Sequence, residues 1–333
     1  MSSYYIGAMK KYYITGVAGM IGSNVARDLL DQDCIVIGID NFWRGTKENV
    51  ASLELYDNFK FRYADISTDL DWANDMLKND QLIHIADIVA GIGYVFCNEW
   101  SVFSENNKIN TSIASLLVDK QPERIIYLGT ACSYPDSMQR SVDDSILSEK
   151  DKFPAKPESG YGWSKLIGEI EFKIAIKNSD TRLITLDLHN VYGNSCIYKD
   201  DTSQVIPALI WKAISSKDGF LNIWGNGMQG RAFVHTSDVS KAIELAIKYE
   251  GDLDNFMIGP NFCTTIKEVA NIICSHSRID ISGITYDLTK PVGDIGRFAN
   301  NSLAVKELGW RQEKDISKGI YELIDYILKI EKK

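Results

Sequence analysis

The sequence predicts an α/β fold in which a doubly wound parallel sheet carries helices on both faces and a smaller α+β region follows. Short apolar runs alternate with helical stretches through the first part of the chain. A glycine-rich turn joins the first predicted strand to the first predicted helix. After about residue 190 the segments shorten and the loops lengthen. We therefore expect domains at 1–190 and 191–333, with some segments of the second returning to the first.

The predicted strands are short apolar runs, as expected for strands that a parallel sheet buries on both faces. They cover residues 11–16, 34–41, 59–66, 81–87, 124–130 and 182–193. Apolar residues at helical spacing predict helices between them, notably over 24–33, 104–119 and 159–178. Since no linker, internal repeat or low-complexity tract separates the two regions, we expect them to share one compact body.

Composition and charge disfavour several classes of partner. The 333 residues are 45% hydrophobic and 24% charged, which is typical of a globular protein. The net charge of −9 disfavours nucleic acids and anionic membranes, because both attract clustered basic residues. No apolar run approaches a membrane span of roughly 20 residues, and the N-terminus lacks the pattern of a signal peptide. Scattered cysteines and histidines predict no metal site, reduced thiols and a cytoplasmic location.

Gly16, Gly19 and Gly22 lie between the first strand and the first helix. Glycine lets the backbone come close to a pyrophosphate, and the N-terminus of the following helix offers unpaired N–H groups. The next strand ends in Asp40, whose carboxylate can accept hydrogen bonds from ribose hydroxyls. This pattern is typical of a Rossmann-type site, and an acid at this point favours NAD because it repels the extra phosphate of NADP. Arg44 nearby keeps NADP open as an alternative.

The predicted cofactor site extends over the ends of the neighbouring strands. Asp65 follows the third strand, where it can face the adenine or remain a solvated acid. The predicted cofactor-binding residues are Gly16, Gly19, Met20, Ile21, Gly22, Asp40, Asn41, Arg44, Asp65, Ile66, Ile85, Ala86 and Lys165.

Tyr161 and Lys165 are four residues apart in the predicted helix over 159–178, so they share one face. A lysine ammonium beside a phenol favours the phenolate and lowers the pKa of the tyrosine. A phenolate can remove a hydroxyl proton while hydride leaves the same carbon for a nicotinamide. Thr130, at the end of an earlier strand, can supply a hydroxyl that orients the reacting oxygen. A chance surface pair is the alternative, but the dinucleotide site upstream favours catalysis.

Five motifs give the chain a resemblance to a known family. They are TGVAGMIGSNV, IDNFWRGTKENV, YGWSK, WGNGMQGRAFVHTSDV and KELGW. With them the chain resembles the extended short-chain dehydrogenases/reductases of the NAD-dependent nucleotide-sugar epimerase/dehydratase family. The resemblance covers nearly the whole chain and implies tightly bound NAD, a nucleotide-diphosphate sugar as substrate, and a homodimer. It implies a four-helix dimer interface formed by two helices of each chain, the helix over 104–119, which carries Glu105, Asn110 and Ile113, and the helix over 159–178, which carries Tyr161.

Further motifs resemble those of the GDP-mannose 3,5-epimerases and, next, the GDP-fucose synthases. HIADIVAGIGYV is similar to their glycine-rich substrate loop, and TACSYPD and LHNVYG are similar to two further stretches. The resemblance implies a catalytic thiol at Cys132, a second acid/base group at Lys199 and a GDP-linked sugar. Gln204 stands where the synthases carry a histidine. Because glutamine cannot relay a proton at neutral pH, this difference favours the epimerases.

Three residues depart from the pattern of these enzymes. Asp87 stands where they carry a second alanine, beside the expected nicotinamide pocket. Thr130 replaces a serine, and Asn300 replaces the usual aspartate after the family's arginine, here Arg297. The sugar or the base can therefore differ from GDP-mannose.

Together these residues predict an epimerase that oxidises carbon 4 of the sugar transiently. Tyr161 takes the proton of the 4-hydroxyl, NAD takes the hydride, and the resulting ketone acidifies the hydrogens on carbons 3 and 5. Cys132 and Lys199 then invert one or both centres before the hydride returns. Arg231 and Arg297 are suited to grip the diphosphate. The predicted substrate-binding residues are Gly91, Ile92, Asn190, Lys199, Val205, Trp224, Arg231 and Arg297.

Several alternatives stay open. The protein can be a 4-epimerase or an epimerase–reductase on another nucleotide sugar, or a regulatory NAD-binding module that has lost catalysis. Individual residues also have simpler interpretations. Cys132 fits a buried structural thiol, Lys199 a solvated lysine, and the two arginines fit surface ion pairs.

Overall fold

The computed structural model describes residues 9–138, 141, 146–200, 202–290 and 295–332. Its strands, in chain order, are β1 Lys11–Thr15, β2 Ile35–Asp40, β3 Phe59–Tyr63, β4 Gln81–His84, β5 Arg124–Thr130, β6 Ile146–Leu147, β7 Arg182–Leu188, β8 Asn190–Tyr192, β9 Phe220–Trp224, β10 Gly230–Arg231, β11 Phe233–His235, β12 Asn255–Ile258, β13 Thr264–Thr265, β14 Gly283–Asp287 and β15 Phe298–Ala299. Its α-helices are α1 Met20–Leu30, α2 Lys47–Leu53, α3 Ile92–Cys97, α4 Glu99–Lys120, α5 Gly160–Ala175, α6 Val205–Ser215, α7 Thr236–Lys248, α8 Ile266–Cys274 and α9 Ile316–Glu331.

Within the described ranges, a central sheet of seven parallel strands has the order β12-β7-β5-β4-β1-β2-β3. The strand order reverses between β1 and β4, so the loops at the carboxyl ends of these strands diverge and leave a crevice. The predicted doubly wound α/β fold is confirmed. It directs the turn after β1 and the ends of β4 and β5 towards one region.

Helices cover both faces of the sheet. On one face, α1 and α7 contribute Val25, Leu29 and Ile243 to a core shared with the strands. On the other face, α4 and α5 bury Ile113 and Phe172 against the inner strands. Burial of apolar side chains on both faces explains why the strand sequences are nearly continuous apolar runs.

The C-terminal region has its own apolar core. Helices α6, α8 and α9 pack around the parallel pair β9–β14, with residues such as Ile210, Ile223, Val269 and Leu323 buried between them. Helix α7 and strand β12, although they follow residue 190, pack with the central sheet. No helix of the described residues is both long and apolar enough to cross a membrane.

Several elements differ in their limits from the sequence prediction, as α1 does by beginning at Met20 rather than at residue 24, and two of the differences are instructive. The single strand expected over 182–193 is two strands, β7 and β8, because after His189 the chain leaves the central sheet and pairs with β11. Helix α4 begins at Glu99, five residues before the predicted start. Both differences depend on neighbours that are distant in the sequence, which a local apolar pattern does not contain.

Candidate functional site

A cavity of about 870 Å³ lies at the carboxyl ends of the central strands and extends into the C-terminal region. Its volume lies within the range of ligand pockets for small molecules. Most of the predicted site residues line this cavity, and they are described below in order from the cofactor end to the substrate end.

The turn after β1 has the geometry of a dinucleotide cradle. Gly16 has a φ of +74°, and a Cβ there would lie 2.9 Å from the backbone nitrogen of Ala86. Gly19 precedes α1 and no side chain caps this helix, so its N-terminal N–H groups are available to an anion. Gly22 does not line the cavity. A Cβ on Gly22 would lie 2.1 Å from the Gly16 oxygen, so this glycine permits close packing beneath the turn.

Asp40 ends β2 at the edge of the cavity. Its Oδ2 accepts a hydrogen bond from the Ala18 nitrogen at 2.9 Å, and its Oδ1 accepts one from the Phe42 nitrogen at 2.7 Å. Burial raises the pKa of Asp40, and these backbone N–H groups oppose that shift. Each oxygen keeps a further acceptor site. The carboxylate is therefore held rigidly where a ribose would be bound, which fits NAD.

The remaining cofactor-end residues surround this carboxylate. The Asp65 carboxylate accepts hydrogen bonds from the Ser67 backbone and hydroxyl, and these bonds, with one from Asn41, lower the pKa of Asp65. Other predicted cofactor residues that line the cavity are Met20, Ile21, Ile66, Ile85 and Ala86.

Arg44 has a role that the sequence prediction missed. Its guanidinium donates to the Val89 oxygen at 2.7 Å and to the Thr202 oxygen at 2.9 Å. These carbonyls belong to two loops that are distant in the sequence, and the Gly91 nitrogen also donates to the Thr202 oxygen. Arg44 therefore joins the two loops, and its two terminal nitrogens are already engaged.

Thr130, Cys132 and Tyr161 meet where β5 ends and α5 begins. The Thr130 Oγ accepts a hydrogen bond from the Cys132 nitrogen at 3.2 Å. Ser159 caps α5, and Gly162 allows close approach because a Cβ there would lie 2.1 Å from the Cys132 oxygen. Thr130, Cys132 and Tyr161 all line the cavity. The local sequence thus brings a hydroxyl, a thiol and a phenol to one wall.

Tyr161 has a more hydrophobic environment than the sequence suggested. Burial raises the pKa of Tyr161 well above its ordinary value, and the charge of Asp87 acts in the same direction. A hydrogen bond with Thr130 lowers this pKa in part. The expectation that Lys165 lowers it is therefore not met in this structure, because the Lys165 ammonium is paired with a carboxylate.

That carboxylate belongs to Asp87. The Lys165 Nζ lies 3.0 Å from Asp87 Oδ2, and both side chains are buried. The ammonium also lies over the ring of Tyr127, 4.5 Å from its centre. Asp87 and Lys165 both line the cavity beside Tyr161.

The structure does not bring Lys199 to the cavity, which corrects the predicted acid/base pair. The Lys199 Nζ lies 2.8 Å from Glu331 Oε1, half of the side chain is exposed, and the ammonium lies over Trp211. The ion pair with the last helix directs the lysine outwards, although its neighbours Ile197 and Asp200 line the cavity. Cys132 therefore lacks the partner that the sequence suggested.

The substrate end of the cavity is formed mainly by the C-terminal region. Arg231 and Arg297 line it as buried cations, as diphosphate recognition requires. Gly91, Asn190, Val205 and Trp224 line it as well. Of the remaining predicted substrate residues, Ile92 begins α3, and its side chain lies outside the described part of the structure.

Lys212 and His189 are two of the cavity residues that were not assigned to the site from the sequence. Lys212 lies on the face of α6 that also carries Val205, Ala208 and Leu209. Ala208, Leu209 and Lys212 follow Val205 by 3, 4 and 7 residues, the spacing of a single helical face, and this pattern in the sequence could have placed Lys212 at the cavity. His189 is buried, and its ring nitrogens have no hydrogen-bond partner among the described residues. Burial, with a contribution from Arg297, lowers the pKa of His189 to about 3, so the imidazole is neutral.

The two helices expected at the dimer interface pack side by side. Asn110 and Ile113 face inwards and are buried, and the Asn110 amide donates to the Ser164 oxygen. Glu105 forms an ion pair with Lys108. The two helices also expose the large apolar side chains of Trp100, Val118, Ile170 and Ile174.

Comparison with known proteins gives a consistent result. The model of the NAD dependent epimerase/dehydratase family matches residues 12–259. GDP-mannose 3,5-epimerase of Arabidopsis thaliana is 26% identical over 321 residues, which cover 95% of this chain and 82% of that protein. GDP-L-fucose synthase of Sinorhizobium fredii is 26% identical over 318 residues, which cover 93% of each protein. The resemblance predicted from the motifs is confirmed.

Solved structures show the same fold. UDP-glucose 4-epimerase of Thermotoga maritima superposes with a TM-score of 0.84 at 20% identity, covering 96% of this chain and 99% of that one. An epimerase of Methanothermobacter thermautotrophicus gives a TM-score of 0.86 at 18% identity, covering 97% of this chain and 94% of that one. At these identities the likeness concerns the fold.

Proposed function

Since the chain belongs to the NAD-dependent epimerase/dehydratase family, we propose that it is a nucleotide-sugar epimerase that oxidises carbon 4 transiently and inverts carbon 3, carbon 5 or both. One observation carries this proposal. A single cavity is lined by the dinucleotide cradle, by Tyr161 with Thr130, and by the Cys132 thiol. A GDP-linked, mannose-like sugar is the preferred substrate, because two relatives similar along nearly the whole chain are named for GDP-linked sugars.

The residues that would hold NAD are those of the cradle, with Asp40 on the ribose and the N-terminus of α1 on the pyrophosphate. Bound NAD supplies an acceptor for the hydride of carbon 4 and returns that hydride at the end of the reaction. The protein thus needs no external reductant.

Side chains of the protein carry out the proton transfers. Tyr161 in its phenolate form would take the proton of the 4-hydroxyl while Thr130 holds the same oxygen through its hydroxyl. Removal of the hydride leaves a 4-ketone, which acidifies the hydrogens on the neighbouring carbons. Cys132, on the same wall, is then the base that removes one of these protons, and a proton derived from solvent adds to the opposite face of that carbon to complete the inversion. Arg231 and Arg297 anchor the diphosphate so that the sugar stays in place between the steps.

A second candidate function is 4-epimerisation, and the position of Lys199 favours it. A 4-epimerase needs only Tyr161 and a 4-keto sugar that rotates in the cavity, whereas inversion at a neighbouring carbon needs proton exchange there. With Lys199 paired to Glu331, Cys132 is the one member of the predicted acid/base pair that lines the cavity.

Deuterium exchange from solvent separates the two functions. We expect the enzyme, incubated in D₂O with GDP-, UDP-, CDP- and dTDP-linked sugars, to incorporate deuterium at carbon 3 or 5 of a GDP-linked sugar. Cys132→Ala is expected to lower this incorporation by about a hundredfold, within the range for loss of a general base. Proton NMR of the recovered sugar measures it.

The matched control is Cys274→Ala, which removes a thiol from α8, away from the residues that line the cavity. This variant is expected to exchange at the wild-type rate. Inversion at carbon 4 without deuterium at carbons 3 and 5 would establish the 4-epimerase instead. Unchanged exchange in Cys132→Ala would remove the thiol from the mechanism.

We also propose a homodimer that buries the exposed apolar side chains of α4 and α5. Trp100 and Ile174, which are 74% and 68% exposed, are unusually accessible for side chains of this kind. Sedimentation equilibrium at micromolar concentration tests the proposal, with twice the chain mass expected. Sedimentation as a monomer would contradict it.

A further inference from the structure

The Asp87–Lys165 ion pair is the least expected feature of the cavity. Asp87 follows β4 and Lys165 lies in α5, and their charged atoms are 3.0 Å apart with 6% and 5% of the side chains exposed. Burial raises the pKa of Asp87, and the Lys165 charge together with the Ile88 backbone N–H opposes that rise. A buried charge is stable only when it is paired, so the two groups depend on each other.

The surroundings make this pair part of the reaction site. Asp87 and Lys165 line the cavity together with Tyr161. The charge of Asp87 contributes to the raised pKa of both Tyr161 and Tyr127. Other ionisable groups around the pair and Tyr161 include His84, which is neutral because burial lowers its pKa to about 3, and, on the Tyr161 side, Cys132 and Arg44. Asp87 is thus the carboxylate whose charge acts most strongly on Tyr161.

We propose that Asp87 is a positioning and specificity-determining residue, which holds the Lys165 ammonium in place and favours the cationic oxidised nicotinamide over the neutral reduced one. The physical reason is electrostatic. Oxidised and reduced dinucleotide differ by one positive charge on the nicotinamide ring. A carboxylate in the wall of the cavity interacts strongly with that charge, because little water is present there to screen it. Without Asp87, Lys165 would present an unopposed positive charge to the same ring.

This inference rests on the NAD dependence of the family and is independent of which carbon is inverted. The negative charge keeps the resting cofactor oxidised and ready to accept hydride, and the lysine offsets the cost of burying the carboxylate. A merely structural role for Asp87 would affect both forms of the cofactor equally.

Binding measurements with both cofactor forms test the proposal. The full-length protein, freed of bound nucleotide, is titrated with NADH by fluorescence, and NAD⁺ is measured by displacement. In Asp87→Asn, which keeps the shape of the side chain and removes its charge, we expect the ratio of the Kd for NAD⁺ to the Kd for NADH to rise about tenfold. Asp87→Ala is expected to shift the ratio in the same direction.

The matched control is Asp65→Asn, which removes the same charge at the far end of the cavity. It is expected to weaken both forms alike and to leave the ratio within about twofold, because the two forms are identical at that end. An unchanged ratio in folded Asp87→Asn or Asp87→Ala protein would overturn the proposal.

The wild-type chain gives a test that does not depend on either variant folding. We expect it to bind NAD⁺ at least as tightly as NADH. A wild-type preference for NADH of about tenfold or more would contradict the proposal. Failure of the deuterium experiment, in contrast, would leave the cofactor ratio unaffected, so the two proposals can fail separately.

Discussion

Replacing Tyr161 by phenylalanine is expected to lower the rate of carbon-4 oxidation by about a thousandfold, within the range for loss of a general base or acid. The phenol lines the same cavity as Thr130 and the dinucleotide cradle, and Thr130 is the group that most lowers the pKa of Tyr161 against the rise from burial. The ring remains in Tyr161→Phe, so the cavity keeps its shape and the change removes one oxygen atom. Single-turnover formation of reduced nicotinamide, followed by its absorbance, measures the effect.

Tyr134→Phe provides the control for this substitution. Tyr134 is another buried tyrosine, and its hydroxyl donates to Asp187 Oδ2 at 2.8 Å outside the cavity lining. We expect this variant to lose stability while its hydride step stays within about threefold of the wild type. Reduced nicotinamide formed at nearly the wild-type rate by Tyr161→Phe would show that another group takes the proton.

Lys152→Met is expected to lower the free energy of unfolding by about 3–5 kcal/mol. The buried Lys152 Nζ lies 2.6 Å from Glu169 Oε2 and 2.7 Å from Asp187 Oδ2. Removing the ammonium leaves these two buried carboxylates close together without the cation between them. Equilibrium unfolding in urea, with wild type and variant compared at the same pH, measures the loss.

Lys150→Met is the matched control for this prediction. Lys150 is exposed and lies two residues away in the same short helical segment, Glu149–Lys152. A surface substitution of this kind is expected to change stability by at most about 0.5 kcal/mol. If Lys152→Met were no more destabilising than Lys150→Met, the buried cluster would not contribute to stability as the distances indicate.

The sequence predicted the elements whose evidence is local. The cradle depends on Gly16, Gly19 and the helix that follows, and all of these lie within one short segment. Tyr161 and Lys165 share a helical face because a spacing of four determines it. The strands of the central sheet were recognisable because burial on both faces requires continuous apolar runs.

Prediction was least successful for side chains whose partners lie far away in the chain. Lys199 follows a motif at the expected spacing, yet Glu331 in the last helix directs it away from the cavity. Arg44 lines the cavity as predicted, but its contacts with the Val89 and Thr202 carbonyls were not foreseen. A motif gives only the spacing of residues along the chain. The direction of a long, charged side chain depends instead on which oppositely charged group lies near it in the folded protein.

By itself, the sequence determined the parallel α/β architecture, the NAD cradle and the family, because periodicity, glycine positions and spacing are properties of short segments. Only the tertiary structure decided which charges meet. It paired Lys165 with Asp87, and it turned the face of α6 that carries Lys212 towards the substrate end of the cavity. The physical reason is that burial makes an unpaired charge costly, so packing selects the partner of each ionisable group after the fold has brought distant segments together.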